Sequence, residues 1–458
     1  MRKKNLLLNP PAFGGKRFIR SGYCNSVSKG GYYWAPIDLL AQSGILKNDF
    51  DIQTLDACVQ NWTEEKTIEY LKNTYPDGFD GLFFITSLAS KDYDFAFIEK
   101  LRKNIRVDRI LCGGGYLLFD NAEVFDKRIA DGVLLDYTSV ESISFFGGEN
   151  RNFDFIATAH NRITVESANK KMSVEFEYPV PLHLQFPLKK YYMPNCKKLP
   201  MTNVITNLGC PFKCGFCTWS NLKYRQRKID NVIEELKFLN HNNIREIMFI
   251  DPTFGANRKH SIDMLNSIIQ NNIKICFSIE CRVDLITDDF VDLLKKAGCH
   301  SITFGLESGN DEILKTIKKN FSVEDIRAAF KICHKYKIAP TGHFIIGLPG
   351  ETKQTIENTI NLAKEIDCDF ASFNIAMPLP GTEIFKQNNL KTEACSDVEK
   401  PVKLYAGELS ADEILYYSKY AFKKFYLRPK YIFNKLIDNL NFIKLIIMIK
   451  ELYYFIIK

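Results

Sequence analysis

Short apolar runs bounded by turn residues alternate with amphipathic stretches through residues 1–150. The runs "NLLLNPP", "DIQTLDA", "GLFFITS", "RILCGG" and "DGVLLDY" are too short for buried helices and read as strands. Between them, "PIDLLAQSGIL", "EEKTIEYLKNTY", "DYDFAFIEKLRKN" and "NAEVFDKRI" carry helical spacing. This alternation predicts an α/β fold that opens with a five-stranded, doubly wound parallel sheet. Ligands in such sheets bind beyond the carboxyl ends of the strands. Those ends fall here at "NPPAFGG", "DACVQN", "SLAS", "GGGY" and "DYTSVE".

Residues 151–200 are proline-containing and only briefly extended, as in "YPVPLHLQFPLKKYYMP", and read as a connector. A second strand–helix series fills 201–390, with strands expected at "MTNVITNLGC", "REIMFIDPTFG", "IKICFSIECR", "HSITFGLES", "IAPTGHFIIGLPGE" and "DFASFNIAMPLPG". Six such units make a partial (β/α)6 barrel whose chemistry belongs at the strand C-terminal ends. Residues 391–458 turn helical, ending in "NFIKLIIMIKELYYFIIK". Lys444, Lys450 and Glu451 interrupt that tail, so it lacks the roughly 18 uncharged residues of a membrane span. It reads as a helix packed on the barrel, with peripheral membrane contact through its apolar face as the alternative.

Composition narrows the function classes. At 46% hydrophobic and 25% charged, the chain is an ordinary globular one rather than a disordered one. A net charge of +7, without any block of like charges, gives no nucleic-acid tail. The N-terminal apolar run is only Leu6 to Leu8 and ends at Pro10-Pro11, so a signal peptide would lack its core, and a cytoplasmic location is expected. Thirteen scattered cysteines then read as reduced thiols.

Three of them stand apart. "CPFKCGFC" places Cys210, Cys214 and Cys217 in one loop at the end of the first barrel strand. Zinc would ask for a fourth Cys or His at a plausible spacing, and no second CxxC or HxxxH motif occurs. Ferredoxin-type spacings use four cysteines in another order. A 4Fe–4S cluster with one open iron fits this donor set best.

The loop resembles the CxxxCxxC signature of the radical S-adenosylmethionine (radical SAM) superfamily. The resemblance implies that Cys210, Cys214 and Cys217 ligate three irons and that the amino and carboxylate groups of SAM chelate the fourth. Reductive cleavage then gives methionine and a 5′-deoxyadenosyl radical. It also implies that Phe216 packs near the adenine and that Asp251, in "FIDPTFGAN", lies near the SAM amino group. Arg282 in "ECRVD" ends the third strand. Glu307 in "FGLESGNDEILKTIKKNFS" would accept from the ribose hydroxyls, Lys319 would neutralise the SAM carboxylate, and Gly347 in "GHFIIGLPGET" would line the adenine pocket. Cys276 and Cys281, on either side of a predicted strand, are expected to be dispensable.

An open sheet followed by such a barrel is similar to the cobalamin-dependent radical SAM group, and "SKGGYYWAPIDLLAQSGIL", "LDACVQN" and "FYLRPKYI" extend the likeness over most of the chain. The resemblance implies cobalamin held at turns such as Gly113 and Gly114. The segment Asp56 to Asn61 offers no histidine, and none precedes His160, so cobalt would have no histidine ligand from this domain. The fifth turn reads "DYTSVE" where relatives carry glycines. Two enzyme readings therefore stay open. One is cobalamin-assisted methylation of an unactivated carbon in a small-molecule, lipid-like or natural-product substrate, with a flavodoxin or ferredoxin as reductant. The other is radical chemistry without cobalamin, the sheet serving as scaffold. An iron–sulfur electron-transfer protein is the non-enzyme alternative, and the strand-end SAM motifs argue against it.

Overall fold

The computed structural model describes residues 2–14, 16, 18–21, 24–27, 32–392 and 408–438. The chain forms two compact units. The first comprises 1–193, 200–203 and 225–238, and the second comprises 194–199, 204–224 and 239–458. The apolar tail after residue 438 lies outside the described residues, so the expected packed or membrane-contacting end helix does too.

The first unit is built on a six-stranded sheet of β1 (Lys4–Asn9), β2 (Asp51–Asp56), β3 (Phe79–Ile85), β4 (Val107–Gly113), β5 (Gly132–Leu134) and β6 (Ile156–Thr158). Its order is β2-β1-β3-β4-β5-β6. The first five strands are parallel, as the alternating pattern predicts. β6 is an addition from the expected connector and runs antiparallel to β5, pairing Gly132 with Thr158. Three residues are too few to show a period, so this strand leaves no sequence signal. Glu141 steers the chain into it by accepting from the backbone N–H groups of Asp154 and Phe155 at 2.9 and 2.7 Å. The helix Ile37–Leu46 is buried along its whole length, and Glu64–Thr74 starts on the cap of Thr63.

A short hairpin, Phe18–Ser21 with Cys24–Val27, follows β1. Its Arg20 is fully buried. The guanidinium donates to Ser90 Oγ, Asp94 Oδ2, Asn9 Oδ1 and the carbonyls of Pro10 and Pro11 at 2.8 to 3.1 Å. The "SLAS" turn is thus tied to the loop after β1.

The second unit carries β8 (Glu246–Phe249), β9 (Cys276–Cys281), β10 (Cys299–Glu307), β11 (Ala339–Ile346) and β12 (Phe370–Ile375), all parallel and in strict chain order. The preceding strand, β7 (Met201–Val204), ends at Val204, whose carbonyl accepts from Ile250 N–H at 3.0 Å. Outward-facing Phe304 meets Phe330 of the helix Val323–Lys335, and Phe373 meets Phe425 of the helix Ala411–Tyr426. Strand alternation therefore turns Glu280, Thr303, Thr341 and His343 inward. Tyr426 lies against the free edge of β12, where its hydroxyl donates to Ala371 O at 2.7 Å and accepts from Ala371 N–H at 3.1 Å.

Candidate active site

The cysteine loop leaves β7 through Gly209, whose φ of +67° belongs to the left-handed region and whose bare face lies against the Lys223 carbonyl. Within the loop, Cys217 N–H donates to Cys214 O at 3.2 Å. Gly215 is pinned on both sides, donating to Ile317 O at 3.0 Å and accepting from Ile384 N–H at 3.2 Å. Among the described residues, no three Cys, His, Asp or Glu side chains close to the spacing of ligands on a single metal ion. A cubane asks for a looser set, because each of three irons takes its own thiolate. Burial pushes the Cys217 thiol up to about 12, with Cys214 and Cys210 adding to the effect. Burial also raises Cys214, against the pull of Lys319 and Arg282.

Arg282 reaches the loop from the end of β9. Its Nη1 lies 3.7 Å from Cys214 Sγ and its guanidinium covers the Phe212 ring at 4.0 Å. Asp284 holds it with two bonds of 2.9 Å, and Lys319 O accepts from Nη2 at 2.7 Å. Thr253 Oγ1 stands 3.5 Å from Cys210 Sγ. Neither Asp284 nor Thr253 was expected from the sequence, since one acidic or hydroxyl side chain after a strand has no distinguishing pattern.

Glu307 and Lys319 meet each other, with Oε1 and Nζ 2.7 Å apart and both side chains 7% exposed. A bulge between Gly305 and Glu307 and a φ of +64° at Glu307 turn this carboxylate inward. Gly305 makes room, because a Cβ there would fall 2.5 Å from Glu307 Oε1 and 3.0 Å from Lys319 Nζ. Lys319 Nζ also sits 5.4 Å from the Phe216 ring centre. Phe216 packs with Ile345 against Ile313, Ile317, Leu348, Ala376 and Ile384. The structure thus brings the cysteines, Phe216, Arg282, Glu307 and Lys319 to one end of the barrel.

Two other expected residues stand differently. Asp251 is fully buried and accepts from Thr206 N–H at 2.7 Å, Asn207 N–H at 3.1 Å and the Thr206 hydroxyl. Its carboxylate staples the backbone that enters the cysteine loop. Gly347 has a φ of +92°, and a Cβ there would meet Ile414 at 3.0 to 3.2 Å, so its bare face admits the helix Ala411–Tyr426. Cys276 and Cys281 lie apart from the loop at opposite ends of β9, bonded to Glu246 and to the Phe254 carbonyl.

Residues 204–363 match the family model described as the Radical SAM superfamily. The stretch that carries the cysteine loop is a radical SAM domain. Radical SAM chemistry at a 4Fe–4S cluster, which the cysteine loop implied, is therefore its activity. The chain is 28% identical over 428 residues to an uncharacterized methyltransferase of Pyrococcus horikoshii, covering 89% of this chain and 91% of that one. It is 24% identical over 336 residues to bacteriochlorophyllide d C-12(1)-methyltransferase of Chlorobaculum tepidum, covering 67% and 72%. The radical SAM methyltransferase TsrM of Kitasatospora setae, solved with cobalamin and a [4Fe-4S] cluster bound, superposes with a TM-score of 0.67 at 16% identity, over 84% of this chain and 78% of that one. At that identity the likeness speaks for the fold.

In the first unit, the "SLAS" and "GGGY" turns lie side by side, with Thr86 N–H donating to Gly113 O at 2.8 Å. A Cβ on Gly114 would fall 2.3 Å from Thr86 O, and one on Gly113 would fall 2.9 Å from the Phe83 ring. Both glycines serve the chain's own packing. The next turn, "DYTSVE", is locked by Arg225, which donates to Asp136 Oδ2 at 2.6 Å and Thr138 Oγ1 at 3.1 Å. Beside the glycines, the Tyr116 hydroxyl is buried with no hydrogen-bond partner among the described residues. That orphaned group fits a bound cofactor at this sheet end. The fit comes from Tyr116 and not from an open glycine cradle.

Proposed function

We propose that this radical SAM enzyme methylates an unactivated carbon of a small molecule. The observation that carries the reading is the cysteine loop held beside the buried Glu307–Lys319 pair, with Arg282 over Cys214 and Phe216 in an apolar wall. In this reading Cys210, Cys214 and Cys217 hold the cluster, which supplies the electron that cleaves SAM. Arg282 keeps positive charge against Cys214 and so favours the thiolate. Lys319 turns from Glu307 to the SAM carboxylate, and Glu307 is freed to accept from the ribose hydroxyls. Phe216 and Ile345 offer an apolar face to the adenine and exclude water around it. Asp251 positions the loop and Gly347 the helix behind the pocket.

Methyl transfer is supported by the relatives. Two named above are methyltransferases, and another, of Streptomyces laurentii, is a tryptophan 2-C-methyltransferase. Cobalamin, when bound, supplies the methyl carrier, and in this chain the turns around Ser87, Gly114 and Tyr116 would hold it without a histidine. The packed glycines favour a second reading, in which the sheet is a scaffold and the radical drives a cyclisation or rearrangement. A relative of Rubrivivax gelatinosus is an anaerobic magnesium-protoporphyrin IX monomethyl ester cyclase. A small flavodoxin or ferredoxin would supply electrons. No helix among the described residues is long and apolar enough to cross a membrane.

Anaerobic reconstitution tests the first step. Wild type should hold about four more irons per chain than the variant with Ala at Cys210, Cys214 and Cys217. Equal iron in the two removes the cluster assignment. Reaction with methyl-deuterated SAM and a metabolite extract should then shift one product's mass by the label, whereas unlabelled product beside 5′-deoxyadenosine selects the second reading. Added cob(II)alamin should bind with an EPR spectrum that nitrogen-15 labelling of the protein leaves unchanged, and a nitrogen splitting that changes with the label would overturn the histidine-free site. A side chain at Gly114 would strike the Thr86 carbonyl, so Gly114→Val should disturb the fold of this turn whether or not cobalamin binds.

A further inference from the structure

Below the cysteine end, the barrel interior is polar. Strand register aligns Glu280 with Thr303 and Thr303 with Thr341, and the next inward layer pairs Gly305 with His343. Glu280 is partly buried, and its carboxylate has no hydrogen-bond partner among the described residues. The Thr341 hydroxyl is buried and equally unpartnered. His343 is partly buried on the same inner face, also without a hydrogen-bond partner among the described residues.

The charges around this layer leave one surplus. Arg282 is taken by Asp284, and Lys319 by Glu307. Asp251 is satisfied by two backbone N–H groups and a hydroxyl. Among the described residues around this layer, Glu280 is left without a counter-charge, and burial together with the Asp251 charge pushes its carboxyl up to about 7. Burial holds His343 below its ordinary value, so its ring is neutral and able to donate and accept. An unpaired carboxylate in such a place is costly, and either a retained proton or a bound cation removes the cost.

We propose that this interior layer is a substrate subsite for a protonated nitrogen, bound by the Glu280 carboxylate beside the hydroxyls of Thr303 and Thr341, with His343 on the wall above. The proposal rests on the radical SAM reading for its neighbour at the cysteine end, and it specifies the substrate class as an amine-bearing small molecule. SAM's own ammonium is the rival occupant. Glu280 precedes Arg282, whose guanidinium touches Cys214, by two residues, a backbone rise of about 6.6 Å towards the interior. A substrate reaching both Glu280 and His343 must also cross two strand spacings, about 10 Å, which suits a small molecule with a second polar group.

The test uses the full reconstituted chain and two probes, n-butylammonium and 1-butanol, with binding read by saturation-transfer NMR and SAM affinity read by calorimetry. Wild type should bind butylammonium more tightly than butanol. Glu280→Gln should weaken the amine at least tenfold and Thr341→Val several-fold, with butanol unchanged and SAM affinity within twofold of wild type. Equal amine binding in Glu280→Gln, or butanol binding as tightly as the amine, overturns the subsite. A loss of SAM affinity in Glu280→Gln assigns the carboxylate to SAM's ammonium and also overturns it. If Glu280→Gln does not fold, Thr341→Val decides by the same comparison. If wild type takes up no iron, the radical reading falls, and the amine arm on the same chain still decides the subsite.

Discussion

Glu307 and Lys319 hold opposite charges out of water, and removing either partner alone strands the other. Lys319→Met should destabilise the chain by about 3–5 kcal/mol, and Glu307→Gln with Lys319→Met by clearly less, because the pair repays little beyond its own desolvation. Urea unfolding measures both, and equal losses would contradict the pair's burial. SAM binding should separate from stability, being lost in the single and the double variant alike, while iron content stays at the wild-type level. Glu351 sets a pH dependence. It is 1% exposed and accepts from Gly347 N–H and, at 3.3 Å, Leu348 N–H. Burial nonetheless raises its carboxyl from 4.5 to about 7. The folded state therefore keeps this proton more tightly than the unfolded state does. Its stabilising share is complete below pH 4.5 and is lost as pH rises through about 7. Between pH 5 and 8 the wild type should lose up to about 3 kcal/mol from this group. Glu351→Gln should flatten that part of the curve, leaving the share of Glu280, which titrates in the same direction. An unchanged slope would remove Glu351 as its source.

The helix Ala411–Tyr426 closes on Gly347, and two separate costs meet at that contact. Gly347→Ala should destabilise by more than about 1 kcal/mol, since it adds a Cβ against Ile414 and forces a side chain into positive φ. Ile414→Ala in the same chain should return the steric part and leave the backbone part. Thermal unfolding of the two single variants and the double variant resolves these shares, and strict additivity would show that the contact is absent. The same residue marks how far the sequence carried the reading. The strands of both sheets were legible because runs such as "GLFFITS" and "HSITFGLES" are short, apolar and bounded by turns. The cysteine loop was legible because its donors are close in sequence. Gly347 was legible as a special backbone position, but its neighbour Ile414 follows after 67 residues, and no local pattern announces that. Asp251 shows the same limit. An acidic residue after a strand looks alike whether it binds a ligand or, as here, the N–H groups of Thr206 and Asn207. Glu280 went unnoticed because strand alternation gives its face, while only the fold shows that Arg282 and Lys319 are already taken.

As a whole molecule, the chain is a mildly basic protein of two α/β units, and among the described residues the second unit's sheet stays open rather than closing into a full ring. Its last strand therefore keeps a row of backbone donors and acceptors that another chain could copy. Tyr426 occupies both groups of Ala371, Ser418 donates to the Phe373 carbonyl at 2.8 Å, and Tyr431 donates to the Asp369 carbonyl at 2.9 Å. Tyr426→Phe keeps the aromatic contacts with Phe370, Phe425 and Tyr431 and removes only the hydroxyl. The variant should unfold near the wild-type temperature yet form concentration-dependent oligomers in light scattering, and a monodisperse variant at every concentration would show the hydroxyl to be dispensable. One phenolic oxygen on a late helix then acts as a guard on solubility. Chains still emerging from the ribosome would expose this edge until their last helices arrive, which makes the interval before residue 426 the period of greatest risk of aggregation.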